Sequence, residues 1–572
     1  SVSALGYETH YRYDAAGRKI SKTDANGNTS RYTYDVRGRV IAETDALGFV
    51  TRYLYDRNGR RTAIIDERGS HYRFKYDALG RQTAKQYPDG STESWTYDAN
   101  NNEIFYMNRA GQIRSRSYDV RNRLIESAWD DGSPVEYRSY DAMGRLQEVL
   151  QEGESRHQYA YDAAGRLLSE TRKIFAAGEA RSVAYTHTSG GKRDTLVYPD
   201  GTQIAYAYNA RGEVAAIGAP GADPFVHYER DANGQVVRKP YANQVFSTSD
   251  YDAVGQLIYR ERSRAEQPIS SEEYQFDPAG NRTATLFGEN RAEAYAYDAV
   301  NQLVEVHRFG SGESPESSTW FDYDAVGNRE RVEDSATGVT QYEANELNQY
   351  TRVQSILSDG NVHSEEPEWD ANGNLARFNG MDLSYDAMNR LVSVSGPDIE
   401  ARFTYDYRNR VTSRTFNGDT TFLIYDDWNL IAEYDEADQL KARYVHGPRI
   451  DEVILTVNDH GTFFHHHDAL GSVTHLTDIN GIVVEAYQYD VYGNVTIFDD
   501  SKNFLETSAI NNRFLFTGRE YLPEIDFYDY RNRIYSADLG RFIQTDPIRF
   551  DAGDVNIYRY VFNSPLNGID PM

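Results

Sequence analysis

Two Asp-Pro dipeptides, Asp546-Pro547 and Asp570-Pro571, bracket a Gly-Asp-x-Asn-x-Tyr-x-Tyr segment near the end of this 572-residue chain. A pair of carboxylates that share a proton can hydrolyse a peptide. One activates water as general base, and the other protonates the carbonyl or the leaving amine. Their pKa values have to be pushed apart, which a close and partly buried pair does on its own. The proline after each aspartate fixes φ and narrows the conformations open to the Asp. Arg541, in Gly540-Arg541-Phe542, is a nearby cation that could orient or ionise one of the two. Asp-Pro is also a plain turn signal, so the dipeptides alone leave both readings open.

Other chemistry-bearing residues are fewer. His465-His466-His467-Asp468, with His475 and Asp478 downstream, has the look of a metal cluster. Adjacent residues on a strand point to opposite faces, so three consecutive histidines cannot meet one ion without a special loop. The spacing to His475 and Asp478 does not make a zinc set either, so the run is assigned a structural role and no metal. No nucleophile elbow, metalloprotease helix, P-loop or dinucleotide fingerprint stands in its proper context, so no cofactor is expected. Stacked Tyr and Arg side chains could present a sugar-binding face, but such residues more often pack as cross-strand ladders.

The elements that would carry these residues are repeats. Tyr-Asp pairs begin at Tyr13, Tyr34, Tyr55, Tyr76, Tyr97 and Tyr118, a step of 21 residues each time. They go on at Tyr140 and Tyr161, and then less regularly to Tyr528. Many extend to Tyr-Asp-x-x-Gly-Arg, as at Tyr13–Arg18 and Tyr34–Arg39, and a second Asp-x-x-Gly falls between them, as at Asp24–Gly27 and Asp45–Gly48. Asp can bond the backbone two residues on, and Gly supplies positive φ, so each Asp-x-x-Gly reads as a turn. Two turns about ten residues apart leave two short strands per unit. Alternation such as Arg31-Tyr32-Thr33-Tyr34 fits a pleated strand. Many such units make one continuous antiparallel ribbon that cannot bury its face alone and must stack or curl. Regularity weakens at 173–195, 309–318 and 356–368, which read as insertions or long loops.

The Tyr-Asp units, together with the closing stretch Asp538–Met572, resemble the RHS (YD-repeat) family. There D-P-x-G-L, N-x-Y-x-Y, N-P and a second D-P-x-G-L close the chain. Asp468-Ala469-Leu470-Gly471-Ser472 and Tyr487–Asn494 are similar to stretches that precede that core. The resemblance implies an all-β fold: a long antiparallel ribbon of YD hairpins spiralling into a hollow cocoon, with the RHS core plugging one end. It divides the chain into a YD-repeat shell, 1–449, and a core-associated region, 450–572. In bacterial RHS toxins and the C components of Tc toxins, the core is a single-turnover aspartyl-type protease. It cuts in cis just past the second Asp-Pro and frees a toxic C-terminal domain held in the shell. By position, that implication assigns catalysis to Asp546 and Asp570, support to Arg541, and the cut to Met572 or shortly after it. Two departures stand out. Asp546 is followed by Pro-Ile-Arg-Phe-Asp-Ala-Gly instead of Pro-x-Gly-Leu, and the sequence stops at Met572, where Gly-Leu would continue.

Composition agrees with a β-rich chain. Tyr numbers 46 and aromatic residues reach 13%, as suits pleated surfaces. Hydrophobic content of 39% is low for one compact ball and reasonable for a sheet with a semi-polar face. A net charge of −28 argues against nucleic-acid or anionic-membrane binding, and its field could hold a basic cargo. With no Cys there is neither a disulfide framework nor a thiolate metal site. No apolar run approaches a membrane span. The start, Ser-Val-Ser-Ala-Leu-Gly, is no signal peptide and lacks Met, so an upstream part is expected. The resemblance implies a bacterial, exported protein with its own toxin domain as cargo. Its partners would be a type VI secretion spike or adaptor, or a Tc-type subunit, with a cognate chaperone. The rival function is a cell-surface YD-repeat adhesion or carbohydrate-binding module that needs no processing.

Overall fold

The computed structural model describes residues 1–288 and 290–571. Nearly all regular structure is antiparallel strand, each strand pairing with its neighbours in sequence, as Thr29–Tyr34 pairs with Val40–Thr44 and Val50–Tyr55 with Arg61–Ile65. Among the described residues the strands form sheets of 21, 13, 15 and 4 strands. The first ends at Pro224–His227, the second runs from Glu229–Arg230 to Val362–Glu365, and the third from Glu368–Trp369 to Phe504–Leu505. The small fourth sheet spans Glu520–Leu522 to Arg541–Phe542.

The repeat motif is a clip with a task for each residue. In Tyr34–Arg39, Asp35 Oδ1 accepts the backbone N–H groups of Arg37 and Arg39, at 2.9 and 3.0 Å. Asp35 Oδ2 accepts from Arg39 Nε at 2.7 Å. Gly38, at φ 81°, closes the turn through its N–H to the Asp35 carbonyl, 3.0 Å. Arg39 then crosses to the next unit, donating to the Asp56 carbonyl at 3.2 Å with its guanidinium 4.5 Å from the Tyr55 ring. The Tyr34 hydroxyl donates back to the Lys19 carbonyl at 2.7 Å. Arg18, Arg60, Arg81 and Arg145 repeat the forward bond, so consecutive hairpins are tied by the motif itself. Register shifts at most Tyr-Asp pairs, as between Thr33 and Tyr34; such bulges add twist to the ribbon.

The accumulated twist returns the ribbon to itself. Turns of one coil dock on turns of the next across long sequence separations. Asn26 Nδ2 donates to Asp277, 251 residues on, Arg68 pairs with Asp324, 256 residues on, and the Tyr198 hydroxyl reaches the Tyr444 carbonyl, 246 residues on. One edge of the early coil therefore meets the opposite edge of the later one, which makes a shell wall. Strand burial rises along the chain. His10–Tyr13 is exposed throughout, whereas six consecutive residues of Asp419–Asp426 are buried.

Two stretches read as insertions are continuous wall. Most of 173–195 is strand (Leu167–Ile174, Ala180–His187, Arg193–Val197) around a single 3-10 turn, Phe175–Ala177. Most of 356–368 is a hairpin of Tyr350–Leu357 with Val362–Glu365. Longer strands without the Tyr-Asp clip hid them, because the alternation persists while the punctuation is lost. The Gly-Ser-rich stretch is a true loop between Leu303–Phe309 and Ser317–Tyr323.

Candidate functional site

The chain after Phe514 lies across the docked coils and pins them. The Asn-x-Tyr-x-Tyr residues are all buried. Asn556 Nδ2 donates to the Val326 carbonyl and to Asn328 Oδ1, at 3.2 and 2.9 Å, and the Tyr558 hydroxyl to the Gly373 carbonyl at 2.7 Å. Tyr560 packs with Tyr535 and Tyr530, ring centroids 4.7 and 5.7 Å apart. Asn563 Nδ2 reaches the Gly327 carbonyl at 2.8 Å. Phe550 packs edge-on against Tyr72, at 4.8 Å, and Arg549 pairs with Glu93. The motif's amides and phenols are therefore fasteners of the seam.

Within this frame the two Asp-Pro aspartates meet one guanidinium. Arg533 directly precedes strand Ile534–Ser536, and its backbone carbonyl accepts the Tyr530 N–H at 2.9 Å. Its Nη1 stands 3.0 Å from Asp546 Oδ2, and its Nη2 stands 2.6 Å from Asp570 Oδ2. The guanidinium lies over the Phe542 ring at 3.6 Å, and the Arg533 side chain is 5% exposed. A planar fork suits such bridging because its donors are fixed in direction. Asp546 is held from the other side by its own turn: Oδ1 accepts the Ile548 N–H at 2.9 Å, and its N–H donates to the Ile557 carbonyl at 2.9 Å. Burial pushes the Asp546 carboxyl above its ordinary pKa. Arg533 opposes that shift, and the charge of Asp570 adds to it.

The end of the described chain is gripped as well. Arg519 Nη2 donates to the Asp570 carbonyl at 2.8 Å and Arg531 Nη1 to the Pro571 carbonyl at 2.5 Å. Asp451 holds both arginines, with Oδ2 3.2 Å from Arg519 Nε and Oδ1 2.6 Å from Arg531 Nη2. This arrangement can keep two carboxylates together at low electrostatic cost and present the backbone that follows Asp570. Met572, the expected cut, lies outside the described residues. Arg541 keeps other company. Its Nη2 donates to Asn556 Oδ1 at 3.2 Å, and its guanidinium lies 4.2 Å over Tyr350.

Sequence reasoning missed Arg533, Arg519, Arg531 and Asp451. A signal was present in Tyr528-Asp529-Tyr530-Arg531-Asn532-Arg533-Ile534-Tyr535, which carries two cations in a stretch otherwise headed for the core. The histidine run is a buried strand, Gly461–His467. His465 and His467 stack on one face with centroids 6.4 Å apart, while His466 packs on Tyr241 at 4.8 Å. His465 Nε2 bonds Thr456 at 2.7 Å and His466 Nε2 bonds Thr477 at 2.8 Å.

Fold and site together define a class: a spiral β-shell of Tyr-Asp hairpins, fastened by an aromatic C-terminal segment that ends at a bridged aspartate pair. The Teneurin YD-shell family model matches residues 94–293 and 228–566, and the RHS Repeat model matches in overlapping copies across 1–92. The chain belongs to this YD-shell, RHS-repeat family. Among its relatives, the double-stranded DNA deaminase toxin A of Burkholderia cenocepacia is 25% identical over 78% of this chain and 39% of its own length. The tRNA3(Ser)-specific nuclease WapA of Bacillus spizizenii is 29% identical over 48% of the chain and 11% of its own. The chain thus spans well under half the length of these relatives. Among solved structures, the TcdB2-TccC3-Cdc42 crystal structure superposes with a TM-score of 0.83 at 17% identity, covering 99% of this chain and 34% of that one. The likeness is one of fold. Among the described residues no helix is long and apolar enough to cross a membrane.

Proposed function

We propose that this chain is the shell of an RHS toxin, which encloses a toxin domain C-terminal to it and releases that domain by cutting itself just after Asp570-Pro571. The observation that carries the reading is the convergence of Asp546 and Asp570 on Arg533, at the place where the family's Asp-Pro aspartates stand. In this reaction Asp546, whose pKa burial raises, serves as the acid and Asp570 as the base that activates water. Arg533 keeps the pair together, and Arg519 and Arg531 hold the carbonyls on either side of the Asp570-Pro571 bond. The substrate is the chain's own end, so each molecule reacts once. Named toxins among the relatives support a toxic cargo. The fold shared with TccC3 supports a Tc-type partner subunit, with a secretion spike or adaptor and a chaperone as alternatives for delivery. Release into another cell would make the protein an exported one.

The test is intact-mass analysis of the chain extended past Met572 into its native downstream sequence, beside Asp546→Asn and Asp570→Asn. Wild type is expected to give a fragment of about the present 65.2 kDa plus a released domain, and both variants only the full-length chain. Cleavage that persists in both variants defeats the aspartyl mechanism. An uncut wild type points to the surface-adhesion role.

A further inference from the structure

Asp546 heads a short strap, 546–553, that leaves the closing segment and reaches the early coil. The strap turns on Asp546 itself: the Arg549 N–H donates to the Asp546 carbonyl at 3.0 Å, and Asp546 Oδ1 accepts the Ile548 N–H at 2.9 Å. A single 3-10 turn, Arg549–Ala552, follows, and the Gly553 N–H closes it on the Phe550 carbonyl at 3.1 Å. This is the stretch in which Ile-Arg-Phe-Asp-Ala-Gly stands where Pro-x-Gly-Leu would continue. Both side chains at its tip are received by the early coil. The Arg549 guanidinium pairs with Glu93, 456 residues away, and donates to the Tyr106 hydroxyl at 3.1 Å. Glu93 is buried and held in place, since the hydroxyls of Tyr106 and Tyr87 donate to it at 2.8 and 3.1 Å. Phe550 lies edge-on to Tyr72 and Phe74, ring centroids 4.8 and 6.4 Å away. It also packs on the small core that Tyr72 and Tyr87 form with Leu347 of the second sheet.

A second, independent observation lies in the backbone. Arg549 has φ 54°, in the left-handed region that is costly for a residue with a Cβ. Such a conformation persists where its surroundings over-determine it, and here the surroundings belong to the early coil. We propose that Arg549 and Phe550 are positioning residues for self-cleavage: seated on Glu93 and Tyr72, they bring Asp546 to Arg533 and Asp570 only once the early coil has docked. This rests on the aspartyl reading above and adds the condition under which the pair forms. Asp546 and Arg549 share one turn, so a strap that leaves the early coil carries the carboxylate off the Arg533 fork. A displacement of about 1 Å is enough to slow a positioned reaction severely. A chain whose shell has not closed therefore keeps its end uncut.

Pulse-chase of the chain extended past Met572 into its native downstream sequence, made by cell-free synthesis, reads the rate of the cut. Melts of the 572-residue protein read stability beside it. Arg549→Gln and Glu93→Gln are each expected to slow cleavage about tenfold while melting close to wild type. The double variant should be no slower than either alone, because the two side chains act as one pair. Arg549→Lys, which keeps the cation, should recover most of the rate. If Glu93→Gln does not fold, Arg549→Gln against Arg549→Lys carries the test, since the Arg549 side chain is 28% exposed. A wild type that stays uncut removes the aspartyl reading and this inference with it. A wild type that cuts, with Arg549→Gln cutting equally fast, overturns the inference alone, and so do single-variant losses that multiply in the double.

Discussion

The early repeats and the closing segment use the same pair, arginine with aspartate, in opposite ways. In the repeats the partners are four residues apart, as in Arg39 with Asp35, side chains 25% and 17% exposed. Each pair shapes its own turn and reaches only the next hairpin. In the closing segment Arg533 joins Asp546 and Asp570, 13 and 37 residues away, and is itself 5% exposed. A local, wet pair can be lost one copy at a time because its neighbours supply the same bond. A buried bridge has no substitute, since removing the cation leaves two carboxylates facing each other out of water. The repeats therefore spread stability over many equivalent clips, and the closing segment concentrates it in one junction.

The sharpest break in this comparison is Arg533→Ala, expected to cost about 3–5 kcal/mol in denaturant unfolding and to abolish processing in the extended chain. Arg39→Ala should leave the unfolding curve nearly unmoved and processing intact. Equal losses from the two would mean that burial does not distinguish the regions.

Glycines give the next largest contrast. Gly38 and Gly373 both have positive φ, 81° and 92°. A Cβ on Gly38 would meet nothing nearer than the flexible Arg18 side chain at 3.7 Å, whereas on Gly373 it would lie 2.7 Å from the Tyr558 hydroxyl and 2.8 Å from Arg109 Nη1. Gly38→Ala should cost about 1 kcal/mol from backbone strain, and Gly373→Ala about 3 kcal/mol once crowding at the seam is added. Thermal melts of the two variants would show whether the closing segment is as tightly docked as the Tyr558 contact indicates.

Acid should separate the regions more gently. Burial pushes His465 and His475 down to about 3 and lowers His466 and His467 as well. The unfolded chain therefore takes up those protons first, and stability of the third sheet is complete above about 6.5 and declines as pH falls toward 3. In the repeats the shift has the other sense of charge. The Arg123 side-chain bond lowers Asp119 to about 2, and the Asp14 and Asp35 carboxyls are lowered by their own arginines. Their contribution is present above the ordinary carboxylate value, about 3.9, and is lost only as pH falls through the folded values. Between pH 6 and 4.5, hydrogen exchange corrected for intrinsic rates should show strand Gly461–His467 losing protection before Thr29–Tyr34. Simultaneous loss would remove the histidines as the cause.

Much of the shell was legible because its signals are local. Asp-x-x-Gly specifies a turn wherever it occurs, and a 21-residue step with two such turns specifies hairpins. The stretches misread as insertions lost that punctuation while keeping strand alternation, and alternation without turn residues is the weaker signal. At the site, Asp546 and Asp570 were singled out by the resemblance of their Asp-Pro positions to the family's. The cation could not, since Arg541 is nearer to Asp546 along the chain and only packing turns Arg533, not Arg541, toward the pair.

By itself the sequence determined the all-β ribbon, because every bond of the Tyr-Asp-x-x-Gly-Arg clip forms within one unit or with an adjacent one. Tertiary structure alone decided the rest. Docking of turns 246 to 256 residues apart depends on twist summed over many hairpins, which no single repeat encodes. The convergence of Arg533, Asp546 and Asp570, and the pairing of Arg549 with Glu93, follow from where that summed path brings distant side chains together.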